Sequence, residues 1–320
     1  MANQYRWSSS ALALCLACCI AGCTPSGATT TPPSSSAGSS KVQVLCTTGQ
    51  VGDMVQRIGG EFVQVETLMG PGVDPHLYRA TLGDKQRLDQ AAIVFYNGLH
   101  LEGRMAEVLE SLAARKPVFA VTERLVKNSP DRLRTSAQFS GHFDPHVWFD
   151  VALWRSCIEV VTDELAKLDP AHADAFRQGA KAYTAELDEL DQWCRTELTM
   201  IPKEQRVLVT AHDAFGYFGR AYDVEVHGLQ GISTVDEADL AGISQLIDLL
   251  VGRKIKAVFV ESSVPPKNVQ SLIEGCAARG HKVVEGGELF SDALGATGTP
   301  EASYIGAVRH NVNTIVKALR

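Results

Sequence analysis

From Lys41 onward, short runs of β-branched and aromatic residues alternate with longer segments whose apolar positions recur at helical spacing. The first half reads VQVLCT, GQVGDMVQRIGG, FVQVETLM, TLGDKQRLDQA, AIVFYNG, LEGRMAEVLESLAA and PVFAVT. Strand followed by helix followed by strand predicts parallel sheet, because parallel neighbours need a crossover and a helix supplies it. After a helical stretch beyond Trp148, residues 170–200 contain no internal breaker. They keep apolar side chains at helical spacing (Ala175, Phe176, Ala180, Tyr183, Leu187, Leu190, Trp193, Leu198). A helix of that length is a natural strut between two bodies. Beyond it the alternation resumes with RVLVTA, AFGYFGRAY, VEVHGLQG, DLAGISQLIDLLVGRK, AVFVESS, NVQSLIEGCAARG and KVVEGG, and a closing helix ASYIGAVRHNVNTIVKAL.

The expected fold is therefore α/β, with two lobes of parallel-rich sheet flanked by helices. The lobes are residues 41–165 and 204–320, joined by one long backbone helix within residues 166–203. Ligands of open α/β sheets bind beyond the carboxyl ends of the strands, and in a two-lobe protein that rim faces the cleft.

The amino-terminal segment does not share this pattern. Arg6, an apolar run over residues 11–20 and small residues before Cys23 read as an export signal, residues 1–22, rather than a membrane-spanning helix. Ile20-Ala21-Gly22-Cys23 resembles the bacterial lipobox, in which the cysteine becomes the acylated first residue. Residues 23–40 are a Ser/Thr/Pro/Gly tract that cannot bury a core and reads as a flexible tether. These features predict an exported protein held at the cell envelope by a lipid on Cys23.

With 320 residues and 45% hydrophobic content, the chain has enough apolar surface for two cores. Loss of residues 1–22 removes only Arg6, leaving 29 basic against 37 acidic side chains, a balance of −8. Nucleic acid is thereby disfavoured as a partner. Four cysteines remain in the body, Cys46, Cys157, Cys194 and Cys276, at spacings that match no zinc-knuckle pattern. Cys46 lies in an apolar strand and reads equally well as a core thiol, so no bridge is assigned.

Three histidines fall at strand ends. His76 lies in the loop after FVQVETLM, within Asp74-Pro75-His76; His146 lies in a second Asp-Pro-His, Asp144-Pro145-His146, ahead of Val147-Trp148-Phe149; His212 closes RVLVTA. Proline fixes its own φ and holds the preceding residue extended, so the next imidazole projects from a stiff turn, as a metal ligand requires. The preceding aspartate is placed to accept a backbone or ring hydrogen bond. Three imidazoles leave the charge of a divalent ion uncompensated, so a carboxylate is expected to complete the site. Asp213, Glu261, Glu288 and Asp292 all follow strands of the second lobe, and spacing alone does not choose among them.

The ordered set GVDPH, YNGLHLE, DPHVWFD, VLVTAHDAFGYF, GLQG, FVESS and GGELFSDALG resembles the zinc- and manganese-binding solute receptors of ABC importers, the ZnuA/TroA-like family, nearest its TroA-type members. The resemblance covers residues 41–320. It implies two α/β lobes on a rigid helix and a site made of His76, His146, His212 and Asp292, two ligands from each lobe. It further implies capture of zinc or manganese, delivery to an ABC permease, and action as a monomer. By motif position, Glu261 and His100 are expected to orient the ligating groups, while His172, His227, His281 and His310 read as surface or packing residues. Zinc-specialised relatives carry a His-rich loop before the second ligand, whereas residues 128–143 hold only His142; manganese-specialised relatives place glutamate where this chain has His212. Both specialised patterns are absent, so the metal stays open between zinc and manganese, with iron as an outsider. Two other functions fit an exported metal protein less well. A zinc hydrolase needs an open coordination position and a base or nucleophile, and neither HExxH nor GxSxG is present. A surface adhesin needs an adhesive patch, which no residue pattern supplies.

Overall fold

The computed structural model describes residues 41–320 apart from 136–138, 140 and 236–239. The export signal, the tether and Cys23 lie outside the described residues. Among the described residues no helix is long and apolar enough to cross a membrane.

Four strands of the amino-terminal half, β1 (Val42–Cys46), β2 (Val63–Thr67), β3 (Ile93–Tyr96) and β4 (Val118–Ala120), form one sheet in the order β2-β1-β3-β4. Every pairing in it is parallel. The crossovers run through α1 (Gly49–Gly59), α2 (Leu82–Gln90) and α3 (Ala106–Ala113), as the alternation predicts. Helix α2 starts at a capping box, with Thr81 accepting from the Asp84 N–H and Asp84 accepting from the Thr81 N–H, which satisfies two otherwise orphaned donors. Short helices α4 (Glu123–Asn128) and α5 (Val151–Arg155), then α6 (Ile158–Leu168), complete this half.

Helix α7 (Ala173–Leu198) is the predicted strut. Its buried residues Phe176, Ala180, Tyr183, Leu187, Leu190, Cys194 and Leu198 recur every three or four positions, so one stripe is committed to the core. Along that stripe it packs on α1, α5 and α6 of the first half. It also packs on α8 (Gly216–Tyr222) and α11 (Tyr304–Leu319) of the second. A single helix braced against both halves resists bending.

The carboxy-terminal half holds two parallel pairs, β5 (Val207–His212) with β6 (Glu225–Gln230) and β7 (Ala257–Glu261) with β8 (Val284–Leu289). Strands β5 and β7 run as neighbours, and α8, α9 (Leu240–Arg253) and α10 (Lys267–Ala278) are the crossovers. Strand β5 is buried at all six positions, as expected of a central strand covered on both faces. Cys46, Cys157, Cys194 and Cys276 are free and buried, and burial raises the pKa of each thiol, so they are inert core side chains here.

Candidate metal centre

Each of the three histidines is delivered by a different local device. His212 is the last residue of β5, so the sheet itself sets its backbone. His146 directly precedes a 3-10 turn, Val147–Phe149, whose aromatic side chains are buried and anchor the turn. His76 sits in the loop after β2, in a turn held by Asp74. Asp292 follows β8, beyond Leu289. Chain positions 76, 146, 212 and 292 thus converge from both halves, and all four side chains are at least 97% buried.

The separations are those of a coordination shell. His146 Nε2 lies 3.3 Å from His76 Nε2 and 3.4 Å from His212 Nε2. Asp292 Oδ2 lies 3.6 Å from His76 Nε2 and 3.4 Å from His212 Nε2, and Oδ1 lies 3.5 Å from His146 Nε2. One donor atom from each residue falls within 4.8 Å of all the others. Donors at the corners of a tetrahedron, each about 2.0–2.1 Å from a central ion, stand about 3.3–3.4 Å apart. The five contacts of 3.3–3.6 Å lie close to that edge, and all four donors lie within 4.8 Å of one another, so a modest inward adjustment brings them onto one ion. Both oxygens of Asp292 are buried and accept no hydrogen bond among the described residues; the imidazole nitrogens that face them stand 3.4–3.6 Å away, beyond ordinary hydrogen-bond length. A buried carboxylate without donors is costly unless a cation faces it, so the donor set fits a divalent ion.

The outer ring nitrogens of His212 and His146 are tied down. His212 Nδ1 meets Glu261 Oε2 at 2.6 Å, and the His212 N–H donates to Glu261 Oε1 at 2.8 Å. His146 Nδ1 meets Asp144 Oδ1 at 2.8 Å, and the same oxygen accepts the His146 N–H at 3.0 Å. These contacts point Nε2 of both rings toward the shared centre and fix the tautomer a ligand needs. Asp74 accepts the His76 N–H at 2.8 Å but does not reach its ring. The aspartate of each Asp-Pro-His therefore does what the sequence suggested, by the ring route for only one of the two.

Charge and burial pull the members apart. Burial pushes the His76 imidazole down to about 3; Asp292 opposes this and the other two imidazoles add to it. Burial also works against a charge on His212, but Glu261 and Asp292 overcome it and hold that imidazole well above its usual range. Burial would raise Asp292, yet His212 above all, then His146 and His76, hold its carboxyl well below the usual range. The raised His212 and the lowered Asp292 thus favour a charged imidazole facing a charged carboxylate.

Of the four open carboxylates, Asp292 alone joins the cluster. Glu261 stands behind His212, Glu288 is exposed on β8, and Asp213 lies outside the group. His100 is a correction. Gly98, Leu99 and His100 all have positive φ, at 87°, 56° and 64°, and this turn sets His100 in an exposed position against His142, with ring centroids 3.8 Å apart. Its motif still reaches the centre, through Asn97, whose Nδ2 donates to the Pro145 carbonyl at 3.1 Å. Sequence reasoning also missed Trp148. Its indole N–H donates to the Ser291 carbonyl at 3.1 Å and so braces the residue before Asp292 from the opposite half.

A family model described as zinc-uptake complex component A, periplasmic, matches residues 44–318. The manganese-binding lipoprotein MntA of Bacillus subtilis (strain 168) is 49% identical over 280 residues, which cover 88% of this chain and 90% of that protein. The zinc-binding protein TroA of Treponema pallidum (strain Nichols) is 48% identical over 283 residues, again 88% of this chain and 90% of the relative. The solved structure of periplasmic zinc-binding TroA from Treponema pallidum superposes with a TM-score of 0.84 at 48% identity, covering 87% of this chain and 99% of that one. With nearly the whole folded body matched, this chain belongs to the ZnuA family of zinc-uptake complex components.

Proposed function

We propose that this protein captures one divalent transition metal ion, zinc or manganese, with His76, His146, His212 and Asp292, and hands it to the membrane permease of an ABC importer. The observation that carries the reading is the meeting of three imidazole nitrogens and a donorless carboxylate, all buried, at coordination spacing. The metal is cargo, so four side chains that close the shell suit it better than the open position a hydrolytic zinc requires. That the protein is an exported lipoprotein anchored through Cys23 is supported by its export segment and by family membership. The proposed lobes, residues 41–165 and 204–320, meet at the site, and residues 166–203 hold the strut between them. The braced α7 favours small adjustments over wide hinge closure.

Relatives of nearly equal identity are named for manganese and for zinc, so similarity does not choose the cargo. The donors favour zinc in equilibrium affinity, since nitrogen-rich sites follow the Irving–Williams order. Physiological cargo then depends on which ion the compartment supplies. Titration of purified, metal-stripped protein with zinc and with manganese tests the reading. Saturation at about 100 times the dissociation constant adds about 2.7 kcal/mol of stability. The melting temperature is therefore expected to rise by several degrees and to fall back on chelation; no rise with either ion overturns the proposal.

A further inference from the structure

The three imidazoles are not held equally. Glu261 grips His212 by both backbone and ring, and Asp144 grips His146 the same way. His76 has, among the described residues, no hydrogen-bond partner on the ring nitrogen that faces away from the centre. Its orientation rests on one bond, from its backbone N–H to Asp74 Oδ1. The other oxygen of Asp74 is held from across the molecule, for Thr234 Oγ1 donates to Asp74 Oδ2 at 2.6 Å. Thr234 belongs to the segment between β6 and α9, 160 residues further along the chain. Its side chain is turned inward at 8% exposure, while its neighbour Val235 is 50% exposed. A second close approach lies beside the same loop, where the Ser262 carbonyl sits 3.4 Å from where a β-carbon on Gly72 would stand. The loop that carries His76 is thus seated against the carboxy-terminal half, and one hydroxyl links the two through the aspartate.

We propose that Thr234 is a positioning residue for metal binding, holding Asp74 from the opposite half so that Asp74 can hold the turn that presents His76. The inference rests on His76 being a ligand. It makes the placement of His76 depend on contact between the halves, as that of Asp292 does through the bond from Trp148 to Ser291. His146 and His212 keep their ring partners within their own half, whereas separation at Thr234 leaves the His76 turn with a half-satisfied carboxylate. Loss of this one bond is then a route by which the protein loosens a single ligand without unfolding the other three.

The test uses purified protein, zinc alone as the probe, and affinity and release rate measured against a chromophoric chelator. Thr234→Val keeps the shape and removes the hydroxyl; Thr234→Ser keeps the hydroxyl. Removing a buried hydrogen bond to a charged group is expected to weaken binding by roughly tenfold to a hundredfold, mostly through faster release. The serine variant should stay within about threefold of the unaltered protein, on the same argument that the bond is kept. In an Asp74→Ala background, Thr234→Val should add no further loss, because the aspartate through which it acts is gone. The inference is overturned if Thr234→Val binds like the unaltered protein, or if it costs the same factor with and without Asp74. If the valine variant fails to fold, judged by melting of the metal-free form, Thr234→Ala carries the same comparison. Failure of the unaltered protein to bind zinc is a separate outcome, which removes the site itself.

Discussion

Glu261 accepts two hydrogen bonds from His212, one from the backbone N–H at 2.8 Å and one from ring Nδ1 at 2.6 Å. The carboxylate at the end of β7 thereby locks both the strand end and the ring plane of the imidazole that closes β5. It also raises the basicity of that imidazole, which strengthens its bond to a metal.

Replacing Glu261 with Gln keeps the size and one acceptor but removes the charge. Metal affinity is expected to fall about 10- to 100-fold, the usual cost of losing a carboxylate behind a ligating histidine. A competition titration against a chelator measures it, and an unchanged affinity contradicts the role assigned to Glu261.

His146→Ala or Asp292→Ala should cost far more affinity than His142→Ala, His100→Ala or His172→Ala. The first two remove donors from the buried cluster, whereas His100 and His142 are exposed and His172 stacks on Phe62 beside Asp169. Parallel titration curves for all five variants would be incompatible with the site.

Acid should weaken binding, and the shifts indicate which proton is involved. His76, pushed down to about 3, is already unprotonated near neutrality, while His212 holds its proton against Glu261 and Asp292. Metal uptake at neutral pH is therefore expected to expel a proton from His212. Titration calorimetry in buffers of differing ionisation enthalpy counts it, and a count of zero contradicts the account. The metal-free protein carries the matching stability dependence. The raised pKa of His212 gives stability that is complete below its unfolded value of about 6.5 and is lost as pH climbs through the folded value. The lowered pKa of Asp292 gives stability that is present above its unfolded value of about 3.9 and is lost as pH falls through the folded one.

Gly228 predicts a steric effect. It pairs with Thr210 across β5 and β6, and a β-carbon there would stand 2.3 Å from the Asp213 nitrogen and 2.6 Å from the His212 carbonyl carbon. Backbone cannot retreat as a side-chain tip can. Gly228→Ala should therefore destabilise the protein by about 1–3 kcal/mol and also weaken metal binding, since His212 is what must move. Gly252→Ala, in an open helical position of α9, should instead be neutral or stabilising by about 0.5–1 kcal/mol. Chemical denaturation of both variants decides it.

The alternation of apolar runs made the strands, the crossover helices and the long α7 legible, because each is a local pattern repeated along the chain. The doubled Asp-Pro-His and the strand-end histidine made three positions stand out on stereochemical grounds. The fourth was not legible that way. Asp213, Glu261, Glu288 and Asp292 all follow strands, and only the path of the chain after β8 brings Asp292 to the centre while β8 leaves Glu288 exposed. Asp292 came from resemblance instead. His100 misled because motif adjacency says nothing of chain direction, and three successive residues at positive φ turn it toward His142. The contacts between halves, Trp148 to Ser291 and Thr234 to Asp74, join residues 143 and 160 positions apart and leave no local trace.

The central claim is that four named side chains hold one ion. Anomalous diffraction from crystals of protein loaded with one equivalent of zinc tests it directly. The account predicts a single anomalous peak about 2.0–2.2 Å from Nε2 of His76, His146 and His212 and from a carboxylate oxygen of Asp292. A peak elsewhere, such as between His100 and His142, with the four-residue cluster empty, would contradict it.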